Sequence, residues 1–170
     1  QMCIRDRTEI DLRSGKSRQL KISVPPNGHD STNYIVKRHY GVSGDGQLVP
    51  LTIVHHKNVV PNHGSPVLLT GYGAYGMSLT PRFSATRRIL LTRGVIHVTA
   101  HVRGGMEKGY QWYRSGRMAD KDKSFDDFVG AAESLIRDGY TSAGHIIIHG
   151  GSAGGLLVGA VAMRRPELFR

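Results

Sequence analysis

The rhythm of hydrophobic positions changes near Pro66. Before it, the pattern is alternating. Residues 8–12 alternate polar and apolar, Arg13-Ser14-Gly15-Lys16 interrupts them, and residues 17–23 resume, which predicts a β-hairpin. Pro25-Pro26-Asn27-Gly28-His29-Asp30-Ser31 is a run of turn formers and marks a linker. A second pair of strands is expected over 34–40 and 48–55, around Ser43-Gly44-Asp45-Gly46. Pro50 lacks an N–H, so the later strand is expected at an edge, or to start late. A polar loop covers 57–65.

After Pro66, short apolar runs alternate with helical spacing. Val67-Leu68-Leu69-Thr70 reads as a buried parallel strand. A helix is expected over 83–93, with Ile89, Leu90 and Leu91 apolar and Gly94 ending it. Residues 95–100 are a β-branched strand. Ser124 with Asp127 three residues on reads as a capping-box variant opening a further helix. Its apolar face is Phe125, Phe128, Val129, Ala132, Leu135 and Ile136, and Gly139 closes it. Ile146-Ile147-Ile148 is a strand, followed by a glycine run and an apolar helix to Met163. This succession predicts an α/β fold, a mostly parallel sheet with flanking helices joined by right-handed crossovers.

Composition narrows the function classes. The 170 residues are 39% hydrophobic, enough for one domain with a core. No stretch approaches the ~20 apolar residues of a membrane span, so no membrane partner is expected. The single cysteine excludes a disulfide framework and a cysteine zinc cluster. The net charge of +10 would suit nucleic acid, but the basic residues are scattered and no aromatic-interleaved motif accompanies them. No nucleic-acid partner, metal or cofactor is therefore expected. Residues 1–7, Gln-Met-Cys-Ile-Arg-Asp-Arg, have no apolar core or cleavage site and read as the in-frame translation of a sequencing adapter. The native start is then expected elsewhere, and a cytoplasmic location is only the default expectation.

Gly150-Gly151-Ser152-Ala153-Gly154 matches G-x-S-x-G between a strand and a helix, the setting a nucleophile elbow requires. Gly150 and Gly154, two positions either side of the serine, let the backbone fold tightly without Cβ clashes. Ser152 is thereby held out at the carboxyl end of the sheet, where the Ala153 N–H can meet an oxyanion. In the run 150–155 a phosphate loop would need Gly-Lys-Ser/Thr, and a dinucleotide fingerprint G-x-G-x-x-G; neither is present there.

Several further motifs lie collinear with this one. Gly71-Tyr72-Gly73-Ala74-Tyr75-Gly76, His101-Val102-Arg103-Gly104-Gly105, Gly139-Tyr140-Thr141-Ser142 and Arg165-Pro166-Glu167-Leu168-Phe169, with Gly150 to Leu157, resemble the catalytic domain of the prolyl oligopeptidase family, most nearly its oligopeptidase B branch. The resemblance spans about residues 8–170. It implies that 8–33 is the end of a β-propeller with its linker, and 34–170 the first half of an α/β-hydrolase domain. It further implies a serine endopeptidase that cleaves short peptides after basic residues through an acyl-enzyme on Ser152. Ala153 N–H and the Tyr72 hydroxyl resemble its two oxyanion donors. The alternative is a carboxylesterase or lipase, which shares the elbow but carries His-Gly-Gly-Gly where this chain has Gly-Tyr-Gly. Arg103 is expected to be a structural ion pair or carbonyl clamp.

Three departures stand out. Met106 replaces the family's third glycine after Arg103, with Lys108 two residues on. Thr80 and Arg82 occupy positions that are acidic in bacterial oligopeptidase B, which argues against a dibasic preference. Hydrolases of this fold order their triad Ser, Asp, His. All nine histidines precede Ser152, and Glu167 is the one carboxylate after it. The expectation is that the chain is part of a longer enzyme, inactive alone, whose general base, orienting Asp and specificity pocket lie beyond Arg170. Oligomeric state is not legible.

Overall fold

The computed structural model describes residues 6–22, 28, 30–80, 82 and 84–170. Cys3, most of the adapter-like segment, most of the 25–31 linker and Phe83 lie outside these residues.

The expected hairpin forms from β1 (Asp6–Ile10) and β2 (Ser17–Ile22), an antiparallel pair making a sheet of its own. Asp11 shapes its turn by accepting from the Arg13 and Ser14 N–H groups at 2.8 and 3.1 Å.

The main sheet has five strands in the order β3-β4-β6-β5-β7: β3 (Tyr34–Val42), β4 (Leu48–His56), β5 (Val67–Thr70), β6 (Ile96–Ala100) and β7 (Ile146–His149). β5, β6 and β7 are parallel, while β3, β4 and β6 pair antiparallel. The sheet is thus mixed, because the second hairpin joins the parallel strands. β4 is an interior strand despite Pro50. The Pro50 carbonyl accepts from His101 N–H at 2.9 Å, on the β6 side, and the β4–β6 ladder begins only at Leu51. The missing N–H therefore falls just past the end of that ladder and leaves no carbonyl unpaired.

The α-helices among the described residues are α1 (Ala85–Thr92), α2 (Tyr110–Arg114), α3 (Asp122–Arg137) and α4 (Ala153–Arg164). Alternation along β4 separates the two faces. Val49, Leu51 and Ile53 join Val67, Leu69, Ile96, Val98 and Ile146 in the main core under Phe128, Leu135, Leu157 and Val161 of α3 and α4. Val54 points the other way, to Leu91 of α1 and Tyr34. Ser84 caps α1, its Oγ accepting from Arg87 N–H at 3.2 Å. Gly139, at φ +77°, ends α3, and the Tyr140 N–H returns to Leu135 O at 2.9 Å.

The expected cap at Ser124 is not formed. α3 starts at Asp122, with Lys121 before it, and both Ser124 and Asp127 are buried within the helix. No helix among the described residues is long and apolar enough to cross a membrane.

Candidate active site

β7 ends at His149, and α4 begins at Ala153, so Gly150, Gly151 and Ser152 make the whole corner. Ser152 adopts φ 55°, ψ −121°. For a non-glycine residue this costs about 1–3 kcal/mol and persists only where neighbours impose it. Gly154 N–H donates to Gly151 O and Gly155 N–H to Ser152 O, both at 2.8 Å, closing the first turn directly behind the serine. A Cβ on Gly150 would lie 2.1 Å from Gly154 O, and one on Gly154 would lie 2.7 Å from Gly71 O and 3.4 Å from Tyr72 Cα. The corner, the helix start and the loop after β5 are thus in backbone contact. A Cβ on Gly151 would meet nothing within 4 Å. Ser152 is exposed, and Ala153 and Tyr72 are half-buried. Ala153 N–H belongs to the first turn of α4, where N–H groups have no intrahelical acceptor.

The Tyr72 loop is held from several sides. Gly71 N–H donates to His149 O at 3.3 Å, and Gly76 N–H to Gly104 O at 2.9 Å. Lys121 Nζ donates to Gly73 O. Leu79 N–H donates to Glu107 Oε1 at 2.8 Å, and His101 Nδ1 lies 3.3 Å from the same oxygen. Burial opposes charge on Glu107, but His101 and the Leu79 N–H outweigh it and lower its pKa.

Arg103 anchors the facing loop as the sequence suggested, as a structural ion pair. Its guanidinium bonds Asp127 Oδ1 at 2.5 Å, Asp45 Oδ2 at 2.5 Å and Ser43 Oγ at 3.1 Å, while its N–H donates to Asp127 Oδ2 at 2.8 Å. Burial works against the cation, yet the two carboxylates raise its pKa further. Ser124 Oγ donates to Arg103 O at 2.7 Å. The Ser124–Asp127 pair that imitates a helix cap thus serves this hub instead. The signal for it was a carboxylate on the apolar side of α3, one residue from Phe128.

Beside the elbow lies a cleft of about 370 Å³, lined by Tyr75, Tyr113, Met118, Lys121, Ala153 and Leu156 among others. Tyr75 and Met118, at φ 56° and 51°, are the other non-glycine residues with positive φ among those described. Tyr75 and Met118 both line this cleft, and Ser152 directly precedes Ala153 on its wall, a grouping that no local sequence signal announced. A second cleft, about 530 Å³, contains Thr80, Met106, Glu107 and Lys108. Arg82 is exposed, and its carbonyl accepts from Arg87 at 3.2 Å. Lys108 lies 4.2 Å from the Trp112 ring centroid and donates to Leu48 O at 3.1 Å. Among the described residues, no group of three or more metal-ligating side chains forms.

Comparison with known proteins adds a decisive observation: residues 81–170 match the model of the prolyl oligopeptidase family. The chain belongs to the prolyl oligopeptidase family. Dipeptidyl aminopeptidase BI of Pseudoxanthomonas mexicana is 40% identical over 163 residues, covering 95% of this chain and 22% of that protein. Protease 2 of Moraxella lacunata is 40% identical over 161 residues, 95% of this chain and 23% of that protein. The structure of oligopeptidase B from Leishmania major superposes with a TM-score of 0.90 at 36% identity, over 96% of this chain and 23% of its own. The chain thus spans less than a quarter of these prolyl oligopeptidase relatives.

Proposed function

We propose that this chain is the nucleophile-bearing part of a serine peptidase that cleaves peptide bonds in short peptides, after basic residues. The observation that carries the reading is Ser152: exposed, in a left-handed conformation at a strand-to-helix corner whose Gly154 lies against the backbone of the Tyr72 loop. Family membership and the peptidase relatives support it. In this reading Ser152 Oγ bonds the scissile carbonyl carbon while its proton passes to a histidine. That proton then leaves with the amine as the C–N bond breaks, and water later releases the acyl group. Ala153 N–H and the Tyr72 hydroxyl would take the oxyanion.

The histidine and its orienting carboxylate would come from chain outside these 170 residues. So would the carboxylate that pairs with a basic substrate side chain, because the cleft beside Ala153 offers only Arg117 and Lys121 as charged groups. Thr80 and Arg82 favour one basic residue over two. The β1–β2 hairpin would close a β-propeller.

The test is the full-length enzyme on a fluorogenic arginyl peptide. Ser152→Ala should abolish both turnover and fluorophosphonate labelling. Tyr72→Phe should lower kcat on the order of 10²–10³-fold with little change in KM. Turnover surviving Ser152→Ala would overturn the reading, and hydrolysis of acyl esters but no peptide would move it to an esterase.

A further inference from the structure

One charged side chain at the site has no part in acyl transfer as described. Lys121 is half-buried at the start of α3 and lines the cleft together with Ala74, Tyr75 and Ala153. Its ammonium donates to Gly73 O, lies 3.4 Å from Ser124 Oγ and sits 5.6 Å from the Phe125 ring centroid. Among the described residues it forms no ion pair with a carboxylate, and burial lowers its pKa. An ammonium taken out of water without a counter-charge is costly, so its location requires something in return.

The loop it touches supplies the reason. Gly71 N–H is tied to His149 O and Gly76 N–H to Gly104 O. Between those anchors, the Gly73 carbonyl is the group bonded to another element among the described residues, and Lys121 is its donor. The segment needs such a tie, because Gly73, Tyr75 and Gly76 all have φ between 56° and 65°. Glycine rotates readily into other conformations, and Tyr75 pays to stay in this one. Gly73 O also lies against Gly104, where an added Cβ would come within 2.1 Å of it. A shift of Gly73 therefore moves Tyr72, the residue before it, relative to the elbow.

We propose that Lys121 is a positioning residue for the oxyanion site, its ammonium fixing the Gly73 carbonyl and through it the Tyr72 hydroxyl beside Ala153. The proposal rests on the reading of Ser152 and Tyr72 given above. It predicts a coupling that a lysine contacting substrate, or one merely supporting the fold, would not produce.

The experiment is a double-mutant cycle in the full-length enzyme, with kcat and KM read separately on an arginyl peptide and melting followed in parallel. Lys121→Met should lower kcat on the order of 10²-fold, the effect of about 1 Å of misplacement, with KM within about threefold. In the Tyr72→Phe background the same substitution should cost less than about threefold more, because the hydroxyl being positioned is already gone. Lys121→Arg, which keeps a charged donor, should recover at least about tenfold of the loss. If Lys121→Met melts early, the cycle is run with Lys121→Arg, where non-additivity with Tyr72→Phe is again required. Multiplicative losses would overturn the proposal, as would a raised KM with kcat unchanged. Tyr72→Phe acting at the wild-type rate would overturn the reading of the site and this proposal with it; a Tyr72 effect without coupling overturns the proposal alone.

Discussion

Adding one methyl group at a time to Gly150, Gly151 and Gly154 should sort these glycines by the room around each. On Gly150 the new carbon would lie 2.1 Å from Gly154 O and 2.5 Å from Gly154 C, both backbone atoms of the first turn of α4. Ordinary contact between carbons is about 3.5–4.0 Å, so the turn must retreat by more than about 1 Å. Overpacking of this kind costs about 1–3 kcal/mol or more, and, on the proposed role of Ser152, a displacement near 1 Å there costs on the order of 10²-fold in kcat. On Gly154 the nearest atom is Gly71 O at 2.7 Å, so the required opening is smaller. Alanine also regains about 0.8–1.0 kcal/mol of helix propensity there. The net cost in stability should then be about 0–2 kcal/mol, while the Tyr72 loop moves off the elbow and kcat falls about tenfold. On Gly151 a Cβ meets nothing within 4 Å, and stability should stay within about 0.5 kcal/mol of wild type. Urea denaturation and kcat on an arginyl peptide, measured on all three variants of the full-length enzyme, give the ranking. Gly151→Ala as damaging as Gly150→Ala, or a harmless Gly150→Ala, would refute the steric reasoning.

Two further outcomes follow from the ionisable groups around the sheet, both measured on the full-length protein. Asp127 is fully buried against Arg103, so Asp127→Ala should cost about 3–5 kcal/mol, whereas Asp45, 43% exposed, should cost about 1 kcal/mol or less when removed. Equal losses in urea titrations would contradict this division. His97 is held neutral, its pKa lowered to about 3 by burial, then Arg87, then His149. The unfolded chain takes up that proton first, near pH 6.5. The contribution is therefore full above about 6.5 and lost toward pH 3, at no more than about 1.4 kcal/mol per pH unit. His97→Gln should flatten the stability–pH slope in that window, and an unchanged slope would count against the assignment.

What was legible in the sequence is what depends on near neighbours. The elbow could be read because Gly150, Ser152 and Gly154 act on one another across five residues. The strands of the parallel part, and the ends of α1 and α3 at Gly94 and Gly139, were marked by apolar runs and glycine in the same local way. The Arg103 hub was hidden because each partner carries a sufficient local meaning of its own. Asp45 suits a hairpin turn, and Ser124 with Asp127 suits a helix cap; only the tertiary contact reveals that all three serve one arginine. Pro50 misled for a related reason, since its cost depends on where the neighbouring ladder stops, 50 residues away at Ala100. Tyr75 and Met118 gave no warning of their left-handed backbones, because that strain is imposed from outside the segment.

The Arg103 hub also decides where the chain can change length. Surface turns usually accept insertions, and the β3–β4 turn at 43–47 is on the surface. Yet Ser43 and Asp45 both reach inward to the guanidinium, and Ser43 N–H closes the turn on Gln47 O at 2.9 Å. An extra residue there would pull a counter-ion off a buried cation, so this turn should keep its length wherever the chain is redesigned or recombined. The β1–β2 turn is the opposite case: a Cβ added at Gly15 would meet nothing within 4 Å, and the residues around it are exposed. A label or tag belongs there.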